Sequence, residues 1–106
     1  MFRIQSKGSR SVERDSLPSN KPIVLLAHGL DEIADIYILN DEDKALGLVL
    51  ANKGFDVWMI NNRGTCHSRQ HIHFSLYQSE MWDFSFQEMA QFDVPAVLNY
   101  ITKTTG

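Results

Sequence analysis

A single cysteine, Cys66, occurs in the 106 residues, so no internal disulfide can staple the fold, and one thiol says little about the redox compartment. No apolar run is long enough to cross a bilayer, which leaves no transmembrane segment to place. Lys and Arg never cluster into a block, and the formal net charge is −3; together these argue against a nucleic-acid surface. No internal repeat or low-complexity tract is visible. Paired CxxC spacing is absent, as is any Gly-x-Ser-x-Gly. What remains is ordinary: 43% apolar and 22% charged residues, the balance of a chain that buries a core. Yet 106 residues is short for a sheet covered on both faces by helices.

Two segments dominate the chain. Lys21-Pro22-Ile23-Val24-Leu25-Leu26-Ala27 runs into His28-Gly29-Leu30, and Phe55-Asp56-Val57-Trp58-Met59-Ile60 runs into Asn61-Asn62-Arg63-Gly64. Each is a short apolar run halted by a polar, glycine-containing loop. Such runs read as strands buried on both faces of a parallel α/β sheet. In those sheets, loops leaving the carboxyl ends of the strands carry ligands and chemistry.

The remaining elements are assigned around these two. Met1 to Gln5 alternates as a strand, with no basic region leading into an apolar signal core. With Met1 as the true start, no export by signal peptide is expected. Met1 reads equally well as an internal methionine of a longer strand, so the compartment stays open. Residues 6–20 form a polar loop with its likeliest turn at Lys7-Gly8-Ser9. The stretch 31–43 is acidic and irregular, and Asp41 or Asp43 can cap a helix over 45–51 that Gly54 stops in a left-handed conformation. Strand, helix and strand thus make a βαβ unit. A long loop over 61–81 precedes Ser85, which forms a capping box with Glu88. Pro95 is expected to interrupt or kink the helix that follows, with Asp93 capping its second segment. Val94, Val97, Leu98 and Ile101 fall on one helical face.

The stretches Pro22 to Leu30, Gly54-Phe55-Asp56-Val57-Trp58 and Asn61-x-Arg63-Gly64 resemble the acid lipase family, the α/β-hydrolase lipases related to gastric and lysosomal lipases. Ser68-Arg69, Trp82-Asp83-Phe84-Ser85, Glu88-Met89-Ala90 and Asp93 to Val97 extend the resemblance, in order, across the chain. It implies the amino-terminal portion of an α/β-hydrolase fold, an incomplete and mainly parallel sheet with flanking helices, over residues 1–106. It also implies a serine ester hydrolase acting on triacylglycerols, sterol esters or similar neutral lipids, in a family that is typically secreted or lysosomal. The sequence departs from the family at Ile33 (usually small or hydroxyl-bearing), Tyr37 (Trp), Ile60 (often Gly) and Asn62 (often Ser), which bears on substrate class. In the family the nucleophile elbow follows just after the position of Gly106, and the acid and histidine come far later. On this reading the chain holds none of the three.

The resemblance assigns the backbone amide of Leu30 to the oxyanion hole, as the donor from the loop after the first buried strand. Gly29 permits the tight turn there. His28 is expected to support that loop structurally rather than act as the base. Asn61, Arg63 and Gly64 are expected to tie down the second loop, Arg63 by donating to backbone carbonyls. Cys66, His67, His71 and His73 suggest zinc, but their spacing is poor and no metal or other cofactor is expected. Trp82, Phe84 and Phe86 are read as core packing in preference to a lipid-touching stripe. Asp41-Glu42-Asp43 is read as a solvated helix start.

The sequence therefore reads as a segment of a lipase whose partner, in the complete enzyme, is a neutral lipid ester. The isolated chain is expected to be inactive and to self-associate through an open sheet edge. The alternative is a truncated, non-catalytic lipase-like protein that binds a partner through that sheet.

Overall fold

The computed structural model describes residues 1–4 and 20–106. The Lys7-Gly8-Ser9 turn, and all of the loop around it except Asn20, lie outside the described residues. Three strands, β1 (Phe2–Ile4), β2 (Ile23–Ala27) and β3 (Asp56–Ile60), form one sheet in the order β1-β3-β2.

The strand β3 is the core. Val57, Trp58, Met59 and Ile60 are all buried, each contributing about 1.5–3 kcal/mol relative to an exposed side chain. β2 runs parallel to it, Ile23 opposite Asp56 and Ala27 opposite Ile60, so both strands deliver their following loops to the same end of the sheet. β1 pairs on the other side, antiparallel, with Arg3 opposite Trp58. The sheet is therefore mixed where a mainly parallel one was expected. An antiparallel neighbour needs no crossover helix, and β1 is anchored by Arg3, which donates twice to the buried Asp56 at 2.8 Å. β2 is only half-buried, against the expectation of burial on both faces, because its second edge has no strand beside it among the described residues.

The helix α1 (Leu46–Asn52) joins β2 to β3. Its N-cap is Ala45, which makes no side-chain cap, so neither Asp41 nor Asp43 fills the expected role. Instead the Asp41 carbonyl accepts from the amides of Lys44 and Ala45, a turn that carries Ala45 into the core before the helix begins. Gly54 stops the helix at φ 92°, as its position predicted. The stretch 31–43 is less irregular than its composition suggests, since Ala34–Tyr37 forms a 3-10 turn.

Ser85 and Glu88 form the full capping box at the start of α2 (Phe86–Glu88). Pro95 does not break the helical run. Residues Met89–Asp93 widen into a π turn, and Pro95 then occupies the first turn of α3 (Val94–Thr105). A proline ring collides with the carbonyl four residues back, and a wider turn just upstream relieves that collision. Asp93 is helical in backbone and caps nothing, which frees its carboxylate for another partner. Ile101 and Thr105 are the buried residues of α3, whereas Leu98, predicted on the inner face, is 48% exposed.

Candidate active site

The loops leaving β2 and β3 meet at the carboxyl end of the sheet, and side chains of both bind the other's backbone. His28 accepts the Asn62 amide at Nε2 (3.1 Å), which assigns its proton to Nδ1, 2.8 Å from the Gly29 carbonyl. The buried Asn61 answers from the other side, its Oδ1 accepting the Ala34 amide at 3.0 Å. That bond also fixes the orientation of the Asn61 amide, because Ala34 can only donate. Tyr37 donates from its hydroxyl to the Ala27 carbonyl at 2.5 Å, closing the loop over its own strand. Both ring nitrogens of His28 and the amide oxygen of Asn61 are thus engaged, and the bonds at His28 Nε2 and Asn61 Oδ1 join the two loops.

Between His28 and Ala34 the loop is held by its own residues. The Gly29 amide donates to Glu32 Oε2 at 2.8 Å, and the Gly29 carbonyl accepts the Glu32 amide at 3.4 Å. Asp31 reverses the backbone at φ 57°, a left-handed conformation that aspartate tolerates better than most residues. Leu30, at the outermost point of this turn, is 90% exposed, and its amide donates to no group among the described residues.

Arg63 does not serve backbone carbonyls as expected. Its guanidinium grips the carboxylate of Asp93, Nη2 to Oδ1 at 2.6 Å and Nε to both oxygens at 3.0 Å, while its amide reaches Oδ2 at 3.3 Å. The rings of Phe84 and Phe92 lie 5.7 and 5.9 Å from the guanidinium carbon. Its hydrogen bonds to Asp93 hold Arg63 above its ordinary pKa, with the charges of Asp93 and Glu88 adding and desolvation opposing. Gly64 turns at φ 87°, and a Cβ there would stand 2.8 Å from Phe84 Cζ. The second loop is therefore clamped to the π turn and to the aromatic segment before α2.

These segments enclose an open cleft of about 740 Å³. His28, Gly29 and Leu30 line one side with Asp31, Glu32 and Ile33; Asn62 to Thr65 form the floor; Trp82, Phe84, Phe86 and Met89 form an apolar wall. The aromatic trio is not core packing as expected: Phe86 is 83% exposed and Trp82 45%, while Phe84 is half-buried against Gly64. Trp82 Nε1 donates to the Leu76 carbonyl, which orients its ring. Glu32 and Asp93 were missed as site residues. Glu32 could have been suspected from its place three residues after Gly29, but nothing local links Asp93 to Arg63.

The His71 and His73 rings lie 6.0 Å apart, but among the described residues Cys66, His67, His71 and His73 form no group of three or more that could hold a metal ion. His67 lies 3.3 Å from Asp35 and packs edge-on against Phe2, while His71 Nδ1 accepts the amides of His73 and Phe74. Among the described residues no helix is long and apolar enough to cross a membrane.

No family model matches the chain. Curated relatives do. Lipase member M of Homo sapiens is 46% identical over 97 residues, 92% of this chain and 23% of that protein. The human lysosomal acid lipase/cholesteryl ester hydrolase is 46% identical over 86 residues, 81% of this chain and 22% of its own length. A probable lipase of Schizosaccharomyces pombe is 43% identical over 90 residues, 84% of this chain and 19% of its own length. The chain belongs to the acid lipase family. It spans about a fifth to a quarter of the length of these relatives. The cleft of this acid lipase family segment is built by the two loops after β2 and β3 and by the aromatic stretch before α2.

Proposed function

We propose that this chain is a segment of a serine ester hydrolase acting on neutral lipid esters, and that it supplies one donor of the oxyanion hole through the amide of Leu30. The observation that carries the reading is the state of that amide. It belongs to a loop braced on both sides, it has no acceptor among the described residues, and its residue lines an apolar cleft at the carboxyl ends of two parallel strands. A donor held ready in a fixed frame stabilises developing charge without reorganising at the moment of reaction. His28, Gly29, Asn61, Arg63 and Gly64 keep the frame, and the aromatic wall receives the acyl chain.

On this reading the nucleophile is not among these residues, since no serine of the sequence stands in a Gly-x-Ser-x-Gly elbow. The segment by itself is therefore inactive. The test is a hydrolase in which residues 20–106 replace the matching stretch of the human lysosomal acid lipase. Leu30→Pro removes the amide hydrogen and should lower kcat by roughly 10²–10³-fold, while Leu30→Ala keeps the amide and most of the rate. A folded Leu30→Pro enzyme of unchanged kcat, or an alanine variant as slow as the proline one, would overturn the assignment.

A further inference from the structure

Hydrolysis of an ester by water yields an alcohol and a carboxylic acid, and near neutrality the acid loses its proton to solvent and becomes an anion. An apolar cleft that binds the acyl chain of the ester binds the same chain in the product. What can separate the two is charge at the mouth. The cleft bears Asp31 and Glu32 beside Leu30, and neither pairs with a cation among the described residues. Glu32 is fixed there by its bond to the Gly29 amide at 2.8 Å and cannot swing away without losing it. The cation of the lining, Arg63, has its guanidinium committed to Asp93, and both nitrogens of His28 are engaged. Among the described residues, an anion entering the cleft meets two carboxylates, and the one cation of the lining, Arg63, is already paired with Asp93.

We propose that Asp31 and Glu32 are specificity-determining residues that admit an uncharged acyl ester and disfavour its carboxylate product. The inference rests on the acyl-ester reading of the cleft. A transient oxyanion meets the same field, but donor amides at hydrogen-bond distance outweigh charges that act through solvent. A released carboxylate can accept from the same Leu30 amide, but it keeps its full charge when it leaves that contact, and the field of the two carboxylates then favours its departure.

The test uses the chain itself, titrated with monodecanoylglycerol as the neutral probe and decanoate as the anionic one. The fluorescence of Trp82, which lines the cleft, reports binding, and Trp82→Phe separates its signal from that of the buried Trp58. Asp31→Asn/Glu32→Gln removes both charges while keeping a residue suited to the left-handed turn and an acceptor for Gly29. At low ionic strength the double variant should bind decanoate roughly three- to tenfold more tightly than wild type, with monodecanoylglycerol changed less than about twofold. In wild type, about 0.5 M salt should erase most of the difference that the variant removes. An unchanged decanoate affinity in the variant, or discrimination untouched by salt, overturns the proposal but leaves the cleft as an acyl site. If neither probe binds, the acyl-ester reading fails with it.

Discussion

The clamp between Arg63 and Asp93 should be worth more than a surface ion pair, and a double-mutant cycle can measure it. Exposed pairs contribute about 0–1 kcal/mol, and breaking a fully buried one costs about 3–5 kcal/mol. The side chains here are 34% and 18% exposed, and the carboxylate takes three bonds from one guanidinium together with a backbone amide. We therefore expect about 2 kcal/mol from Asp93→Ala, which leaves a half-buried cation unpaired, and about 1–2 kcal/mol from Arg63→Met. The double variant should fall short of the sum by about 1 kcal/mol. For a chain of this size, 1 kcal/mol lowers Tm by about 4–8 °C, so thermal melts at one fixed protein concentration resolve the cycle. The sign of the pH dependence is set by Arg63. Its raised pKa adds stability that is complete below its ordinary value and lost only in strong alkali, so mutation and salt, not pH, are the levers on the cation. Strictly additive single variants would show that the contact carries no coupling, and that the loop after β3 is held by packing alone.

Gly64→Ala combines backbone strain at φ 87° with a Cβ 2.8 Å from Phe84 Cζ and 3.3 Å from Trp82 Cζ3, whereas Gly54→Ala carries comparable strain at φ 92° with open space around it. Chemical denaturation should find Gly64→Ala the worse by about 1–3 kcal/mol, and equal losses would refute the crowding. Glu88 is held below its ordinary pKa of 4.5 chiefly by the Ser85 hydroxyl and then by the Ser85 amide. A depressed carboxylate adds stability that is present above its unfolded value and lost as pH falls through its folded one. The Tm gap between wild type and Glu88→Ala should therefore hold steady from neutrality to about pH 5 and narrow below pH 4.5. The isolated chain should self-associate through the edge of β2 that no strand covers among the described residues, seen as concentration-dependent sedimentation; a monodisperse monomer that unfolds cooperatively would count against this.

Local chemistry alone placed much of this molecule. An apolar pentamer ending in a polar glycine loop has few options besides a strand, so β2 and β3 were legible from Ile23–Ala27 and Phe55–Ile60. The Ser85–Glu88 box and the stop at Gly54 involve neighbours within one turn and were equally readable. The loops His28-Gly29-Leu30 and Asn61-Asn62-Arg63-Gly64 were marked as a site by their position after those strands. Only the tertiary structure decided which way β1 runs, that β2 is a half-buried edge, and that Ala45 outranks Asp41 and Asp43 at the start of α1. The reason is common to all three: pairing and burial depend on residues distant in sequence, whose contributions outweigh a local propensity of about 1 kcal/mol. The same holds at the cleft. Arg63 sought the best acceptor within reach, and that was a carboxylate 30 positions away on a π turn forced by Pro95, where sequence spacing had suggested only nearby carbonyls.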